Sequence, residues 1–132
     1  MKHESQWKKA SELTLLTGGT PEQASARIRF ANATAVKVAR QNNSDAQILV
    51  SPVGDFWQLV HEEYPALPLY ADDGEHPDTL GTLLSALVIV GTIGGRDAIE
   101  QSNWIADCPV LQVAKVKKVL LDHPEVFKAA GK

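Results

Sequence analysis

Asp73-Gly74-Glu75-His76-Pro77 sets an Asp three residues before a His, at the mouth of a long apolar helix. A carboxylate that accepts from imidazole Nδ1–H holds the ring in the tautomer whose Nε2 can take a proton from a hydroxyl. Two members of a nucleophilic triad, the base and its orienter, therefore fit on one short loop. A convincing third member, an activated serine, is missing from the sequence. The bland reading of the same residues is a polar loop with His76 at the N-cap of the helix that Pro77 starts. Asp72, Asp73, Glu75 and His76 together fit a solvated loop better than a metal site. No metal and no cofactor is expected.

The elements that must hold this loop follow from pattern. Thr20-Pro21-Glu22-Gln23 reads as a helix start, with Thr20 as cap, Pro21 at the first helical position and Gln23 reaching back in a capping box. That helix should run to about residue 40, with Ile28, Ala31, Ala35, Val38 and Ala39 as its apolar stripe. Gln41-Asn42-Asn43-Ser44-Asp45 ends it. Gln47-Ile48-Leu49-Val50-Ser51-Pro52-Val53 reads as a short strand buried on both faces, as in a parallel sheet. After Gly54, residues 55–63 read as a short helix with Phe56, Leu59 and Val60 inward. Pro65 and Pro68 make residues 64–70 an extended connector.

Residues 71–75 form the acidic loop, and a helix is expected over about 78–93. Leu80, Leu83, Leu84, Leu87, Val88, Ile89 and Val90 surround most of it, so it should be covered on nearly all sides. Gly94-Gly95 breaks it. Residues 97–104 suit a short helix and residues 110–121 an amphipathic one, stopped by Asp122-His123-Pro124 before a fraying tail. His61 and His123 read as surface residues, and Trp57 and Trp104 as packing residues.

The totals bound the class. The chain has 132 residues, 44% of them apolar and 22% charged, with a net charge of −3. That suits one soluble domain. Interspersed acids and bases argue against a nucleic-acid partner. The single cysteine, Cys108, excludes an intrachain disulfide and reads as a small buried apolar residue. The first nine residues lack the apolar core of a signal peptide. The longest uncharged apolar run, residues 79–93, falls short of the roughly 20 residues needed to span a bilayer. No membrane partner is expected, and the compartment is cytoplasmic by default.

Read together, Ser51-Pro52-Val53-Gly54-Asp55-Phe56-Trp57, Leu69-Tyr70, Asp72-Asp73-Gly74-Glu75-His76-Pro77 and Gly81-Thr82-Leu83-Leu84-Ser85-Ala86 resemble the C-terminal part of SGNH (GDSL-type) hydrolases. The resemblance spans roughly residues 20–95. It implies an α/β fold, the C-terminal portion of a three-layer α/β/α, flavodoxin-like domain, helix-rich with one or two strands (47–53 and 69–71). It implies that His76 is the general base, that Asp73 orients it, and that the substrate is an ester or an acetylated carbohydrate. The family's Gly-Asp-Ser block and its oxyanion-hole Gly and Asn blocks are not matched. Ser11, Ser25, Ser44 and Ser51 have neither the Gly-Asp lead nor the strand-to-helix setting, and Gly18-Gly19-Thr20 reads as a helix lead-in.

Residues 1–19 are accordingly expected to be a flexible N-terminal segment and residues 20–132 a partial SGNH-hydrolase-like domain. The leading expectation is the C-terminal part of a serine esterase, inactive alone, with an in-frame Gly-Asp-Ser block encoded before Met1. It should self-associate through the uncovered faces of the Ile48 strand and the Leu83 helix. The alternative is a small, non-catalytic interaction module that kept the scaffold, folds cooperatively and is inert.

Overall fold

Thr20 starts the first helix through the expected chemistry. Its Oγ1 accepts from the Gln23 amide at 3.2 Å, and Gln23 Oε1 accepts from the Thr20 amide at 2.9 Å. The computed structural model describes residues 20–103 and 107–130. Five helices run through them: α1 (Pro21–Asn42), α2 (Val53–Glu63), α3 (Thr79–Gln101), α4 (Val110–Asp122) and α5 (Pro124–Ala129).

The α/β expectation is corrected here. The described residues are 69% helical and contain no strand or sheet. A strand exists only through ladder hydrogen bonds to a neighbour, and residues 46–52 meet no partner strand. Leu49 is exposed, Ile48 and Val50 are half-buried, and Val53 is already the first residue of α2. The expected second strand, residues 69–71, is reduced to one antiparallel bridge between Tyr70 and Pro77. With no sheet to cover, the helices collapse on one another. Helices α2, α3 and α4 pack pairwise.

Their shared core contains Phe56 and Val60 from α2, Leu83, Leu84 and Val88 from α3, and Val116, Val119 and Leu120 from α4. Each such side chain contributes about 1.5–3 kcal/mol relative to exposure. The Leu83 face, expected to be uncovered, is therefore buried inside the helical core. The opposite expectation for α3, apolar cover on nearly all sides, is also corrected: Ile89 and Ile93 are exposed. By length and composition α3 is the one described helix that could cross a membrane, yet its Leu80–Val88 face is core.

The break in α3 falls at Gly95, whose backbone (φ 74°, ψ −165°) is not helical. The turn that follows and α4 then cap each other's neighbours. Lys117 of α4 donates to the carbonyl of Ser102, just past α3. Arg96 of α3 donates to the carbonyl of Leu121 at 3.2 Å, at the end of α4. Helix α1 stands apart from this core. Val36 is buried, but Ile28 and Val38 of its expected apolar stripe are exposed, as is Phe30, and a 2.6 Å ion pair from Arg29 to Asp55 ties it to α2. The tail expected to fray instead forms α5. Trp104 lies outside the described residues, as do Ser11 and the Gly18-Gly19 pair.

Candidate functional site

The loop carrying Asp73 and His76 is closed at its base by backbone hydrogen bonds. The Ala71 amide donates to the His76 carbonyl at 2.8 Å, and the Asp78 amide donates to the Leu69 carbonyl at 2.8 Å. Asp78 then caps α3, its carboxylate accepting from the Thr79 amide. The cap of this helix is therefore Asp78, and His76 stays free for other work. Gly74 turns the loop at φ 73°, a conformation glycine adopts without steric cost.

The base of the loop is seated on an aromatic pair. The Tyr70 and Trp57 rings lie 4.7 Å apart, and Trp57 Nε1 donates to Ser85 Oγ at 3.0 Å. Ser85 in turn donates to the carbonyl of Gly81 one turn earlier. Trp57 thus links α2, the loop and α3.

Within the loop, Asp73 uses both carboxylate oxygens. Oδ1 accepts from the amides of Glu75 at 2.9 Å and His76 at 3.0 Å, an arrangement that fixes the carboxylate. Oδ2 lies 2.6 Å from His76 Nδ1. Opposite a carboxylate, Nδ1 carries the hydrogen and donates, which leaves Nε2 as the nitrogen able to accept from a hydroxyl. The two residues named from sequence as base and orienter are therefore brought together. The dyad is open to water, with the His76 side chain 76% exposed.

The electrostatics follow from those bonds. The Glu75 amide, then the His76 ring and the His76 amide, hold the Asp73 carboxyl well below the usual carboxylate range. The bond from Asp73, and then its charge, raise His76 above its ordinary 6.5. A titration of the His76 ring followed by NMR should therefore give a midpoint above 6.5 in the native chain. Asp73→Asn removes both the charge and the ionic acceptor, so the midpoint should fall back. An unchanged midpoint in that variant would mean that the 2.6 Å contact is not made in solution.

No third group joins the Asp73–His76 pair among the described residues. Among the described residues no serine hydrogen-bonds to His76. Ser51 is engaged with Thr92, and Ser85 with Trp57 and Gly81. No group of three or more His, Cys, Asp or Glu side chains there could hold a metal ion. A groove of about 400 Å³ is lined by Arg29, Asp55, Gln58, Glu62 and Glu125 among others, away from the His76 loop. Cys108 is buried, and burial raises its thiol pKa, the state of an inert packing residue. Comparison with family models, with curated proteins and with solved structures found no match to this chain.

His123, read from sequence as a surface residue, is the group that sequence reasoning undervalued. Its Nε2 lies 2.7 Å from Glu63 Oε1 and its Nδ1 lies 2.9 Å from Glu125 Oε1. Glu125, two residues away, was a visible signal; Glu63, 60 positions earlier, was not.

Proposed function

We propose that this chain supplies the base end of a serine hydrolase acting on ester bonds, with His76 as general base and Asp73 as its orienter. The observation that carries the reading is the 2.6 Å contact between Asp73 Oδ2 and His76 Nδ1, in a carboxylate already fixed by two loop amides. In the reaction His76 Nε2 takes the proton of a serine hydroxyl as that oxygen attacks the ester carbonyl, and returns it to the leaving alcohol. Asp73 stabilises the imidazolium between those two steps. The serine and the oxyanion donors come from a segment other than the described residues. The chain alone is inert toward unactivated esters, because the missing donors carry a large share of the acceleration.

The test is to express the chain alone and together with the polypeptide encoded immediately before it. Acetyl-ester turnover and serine labelling by a fluorophosphonate are then measured. Turnover that needs both parts and is lost in His76→Ala supports the reading. Turnover indifferent to His76 removes it.

A second reading, a non-catalytic interaction module, draws on the helical core and on the exposed Ile28, Phe30 and Val38 of α1. It expects a sharp thermal melt, a monomer or a defined dimer, and no turnover in either preparation.

A further inference from the structure

His123 is where three elements meet. It ends α4, precedes the first residue of α5, and faces Glu63 at the last position of α2. A neutral imidazole carries one N–H and one lone pair. With a carboxylate oxygen 2.7 Å from Nε2 and another 2.9 Å from Nδ1, a neutral ring would set its lone pair against one of them. Only the imidazolium donates to both, so the geometry is that of the charged ring.

Little else fastens α5. It spans six residues, has no side-chain cap at its start and contains no fully buried residue. Its hold on the core is the partly buried pair Val126 and Phe127. The Phe127 ring lies 4.7 Å from that of Phe56, and its tip sits over Gly91 of α3.

We propose that His123 is a proton-operated clasp: charged, it fastens α5 to the end of α2, and on losing its proton it lets α5 lift and uncovers the apolar seat around Phe56. The charged groups around it are Glu63 from α2, Asp122 from α4 and Glu125 from α5. Lys118 neutralises Asp122, and Lys128 acts on Glu125.

The direction is fixed by the partners. The bonds from Glu125 and Glu63 raise the ring pKa above 6.5. A group raised on folding stabilises fully below its unfolded pKa and loses that contribution as pH rises through the folded value. The clasp is therefore closed in mild acid and opens as the pH rises through the raised pKa of the ring. His123 in turn lowers the carboxyl pKa of Glu125, so the contact between those two extends toward lower pH.

The test is an NMR titration of the native chain from about pH 5.5 to 9, following the His123 ring and the Phe127 and Phe56 ring protons. All three should share one midpoint above 6.5. Glu63→Gln should lower that midpoint for all three, and His123→Gln should leave the Phe127 signals flat with pH. Asp73→Asn should move the His76 midpoint and leave the Phe127 curve where it was. Phe127 signals that stay flat through the His123 midpoint in the native chain, or that follow His76 instead, would overturn the proposal. So would a His123 midpoint at or below 6.5.

Discussion

Gly81→Ala should destabilise the fold by roughly 2 kcal/mol, although alanine is the better helix former. A Cβ at this position would lie 2.1 Å from the Leu69 carbonyl oxygen and 2.5 Å from Cη2 of Trp57. Neither neighbour yields easily. The Leu69 carbonyl accepts from the Asp78 amide at the base of the loop, and Trp57 is pinned by Ser85 on one side and Tyr70 on the other. Overpacking of this kind costs about 1–3 kcal/mol, and losing the Leu69–Asp78 bond adds about 1 kcal/mol. The gain in helix propensity offsets about 1 kcal/mol. Gly54→Ala is the internal control. A Cβ there meets nothing within 4 Å, so the same change in α2 should stabilise by about 0.4–1 kcal/mol. Urea midpoints of the two variants should thus move in opposite directions. Equal midpoints would show that α3 does not seat the loop as closely as described.

The second large effect concerns catalysis and rests on the proposed hydrolase function. In the preparation that contains a nucleophile, His76→Ala should lower kcat by about 10²–10⁴-fold, the usual worth of a positioned general base. Asp73→Asn keeps the ring but removes its charged acceptor, so kcat should fall while KM holds. The pH profile separates this from simple misfolding. A base must be neutral to act, so native turnover should rise with pH through the raised His76 pKa. In Asp73→Asn the inflection should move to lower pH as the plateau drops. A variant with the native inflection and a reduced plateau would show that Asp73 does not act through His76.

The contact between Asp73 and His76 was legible because it is local. Asp73 and His76 are three residues apart on one loop, so a single turn can join them, and Gly74 permits that turn. The Thr20–Gln23 capping box was legible for the same reason. The long helices showed in their period, and the Gly94-Gly95 break in their composition. What failed was non-local. The run from Gln47 to Val53 has the composition of a strand, but its state depends on a partner that its own residues cannot specify. Pro124 suits a stop after Asp122-His123, but proline equally suits the first position of a helix, and it takes that position in α5. The choice was made by Phe127 reaching Phe56 across the core. The tie from His123 to Glu63 and the nearness of Trp57 to Gly81 belong to the same class of contact.

The crossed pair of basic side chains at the far end of α3 bears on how the molecule opens. Because Arg96 closes the end of α4 and Lys117 closes the turn after α3, neither helix can melt at that end without exposing the other's carbonyls. Fraying there is a joint event. In deuterium exchange, the backbone amides of 96–101 and 116–122 should behave as one protected unit with a common opening free energy. Helix α1, held by few contacts, should exchange well before them.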